Sequence, residues 1–357
     1  MAKIFSSSLG GSLFKDERFL YQEFVPERLP FRDEEISELV FCLKPASEGK
    51  RPTNVFVFGK PGTGKTVSLK FVLSELEEFS DRAKCLYINC FEYSSKQSII
   101  SKITNFLGYA VPSRGISYAE LFSKFVAVLR TKKVLPVIVF DEAEQLLKSE
   151  ETKSLLYDLA RLPEQQKLSI GLAFISNDNF FLSQIDDRIR SSLQCSSIPF
   201  ESYSPSELKE ILRERAKYAF NEFALDEDVV PLCAAHAAKL GGDARIAIDV
   251  LLKAGRLASR EGAKKVLVKH VRASFTQEKP VKVEVTSNLS EQERSILDLL
   301  KKKKSQDSGA IYDTLKDKFA ERTLRAALAE LEEKKLIVSE KEIKGRGFTR
   351  IVKLAGS

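Results

Sequence analysis

The sequence predicts an α/β chain: a parallel sheet covered by helices, then a helical region, then a small winged helix at the C-terminal end. Three observations predict it. From residue 54 to 200 short β-rich runs alternate with helical patterns, the signature of a parallel sheet buried on both faces. The first run, Val55-Phe56-Val57-Phe58, leads into Gly59-Lys60-Pro61-Gly62-Thr63-Gly64-Lys65-Thr66, a glycine-rich loop between a strand and a helix. Residues 289–357 carry three helical patterns followed by two β-rich runs around a basic glycine turn.

The elements follow in order. Residues 1–50 are polar and mixed, with an apolar-aromatic stretch at 19–26 and a helix predicted over 32–43. Strands are predicted at 55–58, 85–89, 136–140, 170–176 and 197–200, and a helix at 67–79. Two amphipathic helices, 96–107 and 118–129, flank a glycine-containing turn at 108–115; Ile99, Ile100, Ile103 and Phe106 form the buried stripe of the first. At Ser204-Pro205-Ser206-Glu207 a capping box with proline in the first turn opens an all-helical region reaching residue 275. Residues 276–288 read as a linker or short strand, and a second capping box, Ser290-Glu291-Gln292-Glu293, opens the last region. There, helices are predicted at 291–301, 310–318 and 322–335, then a hairpin of 336–340 and 348–354 around Lys344-Gly345-Arg346-Gly347. The implied domains are 1–200 (α/β sheet domain), 201–275 (helical lid) and 289–357 (winged helix).

Bulk properties narrow the class. A chain of 357 residues exceeds one ordinary core. It has no apolar run of the ~18 residues a membrane helix needs and no apolar signal core at its N-terminus. A cytoplasmic protein without a membrane partner is expected. The five cysteines form no C-x-x-C pair and there are only two histidines, so neither a zinc site nor a disulfide framework is expected. The net charge of +7 permits a nucleic-acid partner without requiring one. Residues 289–357 hold 16 Lys and Arg against 12 Asp and Glu, more than half of that excess.

The pattern G-x-x-x-x-G-K-T in its strand–loop–helix context is a P-loop. The amides of Gly62, Gly64 and Lys65 face phosphate oxygens, glycine being needed because a Cβ blocks close approach. The helix N-terminus adds its positive end. Lys65 reaches the β/γ-phosphates and Thr66 holds Mg²⁺. Val137-Ile138-Val139-Phe140-Asp141-Glu142 is a strand ending in two acids. Asp141 suits the Mg²⁺ shell, and Glu142 suits orienting and deprotonating water. The alternative for Glu142 alone is a cap on the short helix after it. Asn177 ends the next strand, where it can hold the lytic water or the γ-phosphate; a plain turn residue is the other reading. Arg188 and Arg190 precede the last strand, and Arg245 opens an apolar-faced helix in the lid.

In this order GKPGTGKT, VIVFDEAE, FISNDNFF, IDDRIRSSL and GDARIAIDVLLKAG resemble the archaeal origin-recognition/cell-division-cycle replication initiators, members of the AAA+ superfamily. The resemblance runs from about residue 14 to 275; beyond that the architecture agrees. It implies an AAA+ sheet domain with a helical lid and a winged helix, ATP/ADP and Mg²⁺ as cofactors, and weak ATPase activity. It also implies duplex origin DNA, other initiator subunits and the replicative helicase as partners. By the same resemblance Lys65, Thr66, Asp141 and Glu142 match Walker A and B, Asn177 matches sensor 1 and Arg245 sensor 2. Arg188 falls where a finger faces a neighbouring subunit's nucleotide, with Arg190 close by. Val25, Pro26 and Arg32 fall in the adenine-side box, and Phe31 stands where many members have histidine.

DNA contacts are expected from Arg114, at the tip of the insertion over 91–130, with Lys102 and Lys124 nearby. In the winged helix they are expected from Arg322, Thr323 and Arg325 on the third helix and from Lys344, Arg346 and Arg350 on the wing. A winged helix can also serve protein contacts. The rival functions are a clamp-loader-like ATPase and a nucleotide-gated transcription regulator. The Asp141–Glu142 pair disfavours a switch that does not hydrolyse.

Overall fold

In the computed structural model the described residues are 13–112, 115–132, 134–277, 290–303, 305–333, 337–344 and 347–354. They fall into two units, Met1–Thr276 and Gln277–Ser357.

In the first unit, β1 (Val55–Phe58), β2 (Ala83–Asn89), β3 (Leu135–Asp141), β4 (Gly171–Ser176) and β5 (Ser196–Pro199) form a parallel sheet of order β2-β3-β4-β1-β5. Every residue of β3 and β4 is buried, as a strand covered on both faces requires. Alternate residues feed opposite layers. Phe56, Ile138, Phe140 and Phe174 pack under α3 (Lys96–Phe106), α4 (Tyr118–Thr131) and α5 (Glu150–Ala160). Val55, Val57, Val137 and Val139 pack under α1 (Asp33–Leu43) and α2 (Lys65–Phe79). The short helices α6 (Leu162–Gln166), α7 (Phe181–Gln184) and α8 (Asp187–Leu193) complete the α3–α5 layer, to which Leu162, Phe181, Ile189 and Leu193 contribute. Phe106, expected in the buried stripe, is 38% exposed; α3 ends there and the next residue, Leu107, turns inward instead.

The lid comprises α9 (Pro205–Ala219), α10 (Val229–Lys239), α11 (Ala244–Arg260) and α12 (Val268–Gln277). The expected capping box is present: Ser204 Oγ accepts from the Glu207 amide and Glu207 accepts from the Ser204 amide. Residues 13–24 pack on this bundle rather than on the sheet. Leu13 and Leu20 join its core, and the Phe14 ring stacks on Phe220 at 4.6 Å. Arg215 donates to the carbonyls of Phe19 and Phe24, and Glu17 pairs with Arg256. Residues 13–24 are therefore carried by the lid and not by the sheet domain to which they were assigned.

In the second unit α13 (Glu291–Lys303), α14 (Ser308–Leu315) and α15 (Glu321–Glu333) precede the hairpin of β7 (Ile337–Lys344) and β8 (Gly347–Leu354). Ile296, Leu300, Ile311, Leu324 and Leu331 form its core. β6 (Ser305–Asp307) adds a third, antiparallel strand beside β8. That strand was not expected, because three residues carry no readable alternation. It also moves the start of α14 ahead of residue 310, since Asp307 caps the helix by accepting from the Gly309 amide at 2.7 Å.

Candidate active site

The loop Gly59–Thr66 leaves β1, an inner strand flanked by β4 and β5. The tips of β3 and β4 therefore lie beside it, and α11 of the lid closes over it. Contact is direct: the Ala244 amide donates to the Gly62 carbonyl at 3.2 Å. Gly62 (φ 71°) and Gly64 (φ 93°) are left-handed, and a Cβ on them meets Asp243 Oδ1 at 1.6 Å and the Tyr203 hydroxyl at 2.7 Å. The glycines thus serve the docking of the lid. Between the sheet edge and the lid lies a cleft of about 840 Å³ lined by Gly62 to Thr66, the strand tips and residues from both flanks.

Lys65 is buried, and its Nζ donates to the Gly59 and Lys60 carbonyls at 2.7 Å each and to Asn177 Oδ1 at 3.0 Å. Burial and the neighbouring charge of Arg245 hold the ammonium down at about 8. Asn177 in turn donates from Nδ2 to Glu142 Oε2 at 3.3 Å. Lysine, asparagine and glutamate therefore form one chain across three loops. Thr66 Oγ1 donates to Asp141 Oδ2 at 3.2 Å, and the Glu142 amide donates to Asp141 Oδ1 at 2.9 Å. Glu142 is left-handed (φ 55°) and its side chain caps nothing, so the capping alternative does not hold. A strained non-glycine residue at a strand tip fits a functional site. Burial, and the hydrogen bond and charge of Glu144, push the Glu142 carboxyl up to about 7, a value suited to a base working near neutral pH. Arg245 lines the cleft from the first turn of α11, where its amide is held by Asp243 Oδ1 at 2.8 Å.

The sequence relatives agree with this geometry. A family model described as the Cdc6 AAA+ ATPase-type lid domain matches residues 209–276, an AAA domain model matches 48–177, and a penicillinase repressor model matches 289–353. The chain is 37% identical over 319 residues to ORC1-type DNA replication protein 1 of Sulfurisphaera tokodaii, covering 87% of this chain and 80% of that protein. The chain belongs to the ORC1-type DNA replication protein family. It is 41% identical to the Thermococcus onnurineus member, over 72% of this chain and 64% of that one. A solved structure of the Aeropyrum pernix ORC1 protein in complex with DNA superposes with a TM-score of 0.79 at 32% identity, over 96% of this chain and 94% of that one. With these relatives the first unit is an AAA+ ATPase fold with a Cdc6-type lid, and the second a winged helix.

Within this family member the other expected residues fall as follows. Val25 and Pro26 line the cleft, as do Phe24 and Tyr218. Gly59, Lys60 and Pro61, expected as nucleotide contacts, open the loop and do not line the cleft; the first two supply the carbonyls that hold Lys65. Arg32 does not line it either. Its buried guanidinium is spent on protein carbonyls and Glu35, because it faces the back of the loop. Arg188 is exposed and pairs with Asp186, and Arg190 pairs with Asp187; both are outside this cleft. In the insertion, Lys102 lies over the Tyr93 ring and Lys124 pairs with Glu120, while Arg114 lies outside the described residues.

In the winged helix, Arg322, Thr323 and Arg325 are exposed on the first turns of α15, Arg325 pairing with Glu321. Arg350 is exposed on β8, Lys344 ends β7 opposite Gly347, and Arg346 lies outside the described residues. Sequence reasoning missed Tyr87, whose hydroxyl donates to Asp141 Oδ2 and whose phenol burial and that bond push well above the usual range. It also missed Glu144, which accepts from Ser176 Oγ at 2.5 Å. Only the strand register, Tyr87↔Val139 and Asp141↔Ile175, reveals these neighbours. Among the described residues no helix is long and apolar enough to cross a membrane.

Proposed function

We propose that the chain is an ATP-dependent replication initiator of the cytoplasm. In this reading it binds ATP between the phosphate loop and the lid, hydrolyses it slowly, and binds duplex origin DNA through the winged helix and the insertion over 91–130. It assembles with other initiator subunits and helps recruit the replicative helicase. The observation that carries this reading is the convergence of Lys65, Glu142, Asn177 and Arg245, from four separate segments, on one cleft.

The triphosphate lies along the amides of Gly62, Gly64 and Lys65, with Lys65 and Arg245 supplying positive charge. Thr66 and Asp141 meet as oxygen donors of the kind Mg²⁺ prefers and would hold it, and the ion would supply charge neutralisation for the phosphates. Glu142 takes the proton of the attacking water, and Asn177 holds Glu142 in place. Arg188, exposed on the first unit, is available to a neighbouring subunit's site.

A nuclease footprint across the host's chromosomal origin regions, with ATP and near-physiological salt, tests the DNA half. The expected result is a discrete protected patch that is lost when Arg346 and Arg350 become alanine, with a shallower salt dependence. Uniform protection, or none, would count against origin binding.

A further inference from the structure

Arg32 is 5% exposed, and a buried guanidinium needs partners for its donors. It has them on three separate segments. Nε donates to the Thr63 carbonyl at 2.9 Å, one terminal nitrogen to the Phe31 carbonyl and Glu35, and the other to the Glu201 carbonyl at 2.7 Å. Its cation also sits 4.0 Å from the centre of the Tyr203 ring and 5.4 Å from that of Phe200. Thr63 is at the turn of the phosphate loop, between the two glycines whose amides face the ligand. Residues 200–203 are the strap that leads from β5 into the lid. The strap is itself pressed on both neighbours: a Cβ on Gly64 meets the Tyr203 hydroxyl, and one on Gly242 meets the Tyr203 carbonyl at 2.6 Å.

We infer that Arg32 is a positioning residue of the nucleotide site, clamping the phosphate loop to the strap that carries the lid without touching the nucleotide itself. The inference rests on the ATP-binding reading above. A fork with donors pointing three ways does this, and a lysine cannot, because its ammonium has no planar spread and reaches only part of the set. The clamp acts on the loop that receives phosphates, so its loss weakens every phosphate-bearing ligand alike, whatever the base.

The experiment compares wild type, Arg32→Lys and Lys65→Ala for binding of ATP, GTP and inorganic tripolyphosphate with Mg²⁺, by calorimetry on the full chain. Arg32→Lys is expected to weaken all three by a similar factor, about tenfold or more, the scale of one lost charged hydrogen bond. A loss confined to ATP would show base contact instead and overturn the clamp. Unchanged affinities with only a lower melting temperature would reduce Arg32 to a structural role and overturn it as well. Glu35→Gln removes one charged partner and is expected to give a smaller loss of the same base-independent kind; it serves if Arg32→Lys fails to fold, and an ATP-only loss there overturns the clamp equally. Wild type that binds none of the three, like Lys65→Ala, would instead refute the nucleotide reading beneath it.

Discussion

Replacing Gly62 by alanine tests how the lid reads the phosphate loop. At φ 71° an L residue costs about 1–2 kcal/mol. The new Cβ would stand 1.6 Å from Asp243 Oδ1 and 2.1 Å from its Cγ, so Asp243 must leave. That carboxylate caps α11 through the Arg245 amide at 2.8 Å, and losing such a cap costs about 1 kcal/mol. Gly62→Ala is therefore expected to destabilise the first unit by about 2–3 kcal/mol. It should also slow ATP turnover by at least about tenfold, because Arg245 moves with the cap. The assay is a double-mutant cycle in urea followed by circular dichroism, with Gly62→Ala, Asp243→Ala and both. In the Asp243→Ala background only the backbone term remains, so the cycle should show a coupling of about 1 kcal/mol. Strictly additive costs would falsify the clash as the link between loop and lid.

Further outcomes follow from the same site. Glu142→Gln should keep ATP affinity and lower turnover by about 10²–10⁴-fold; normal hydrolysis by this variant would remove Glu142 as the base. Since Glu142 must be ionised to accept a proton and its carboxyl stands at about 7, kcat/KM should rise with pH through that value; Glu144→Gln should move the rise to lower pH, and an unmoved profile would separate the two carboxyls. Lys65→Met should abolish nucleotide binding. Because the folded ammonium titrates at about 8 against 10.5, the unfolded chain binds more protons between those values. The nucleotide-free wild type should therefore gain stability with rising pH across that window relative to Lys65→Met; parallel denaturation curves at pH 7.5 and 10 would contradict this.

The sequence by itself determined the five strands of the parallel sheet, the hairpin and most helices. Those features are local: an apolar run ending in Asp141-Glu142, a glycine loop ending in Lys65-Thr66, and the capping boxes at Ser204 and Ser290 are set by neighbours a few residues away. Family resemblance extended this to Asn177 and Arg245, whose isolated residue types carry no signal. What only the tertiary structure decided involves partners far apart in the chain. Residues 13–24 went to the lid because Phe14 and Leu20 find their apolar partners there. Arg32 turned from the expected base contact to the back of the loop because Thr63 and Glu201 offer its donors carbonyls at a distance of 31 and 169 residues. Tyr87 reached Asp141 only through the register of two parallel strands, and β6 exists only because β8 offers it an edge. A side chain's chemistry is written at its own position, but which group it meets depends on the free energy of burying distant surfaces together, and no short window of sequence contains that.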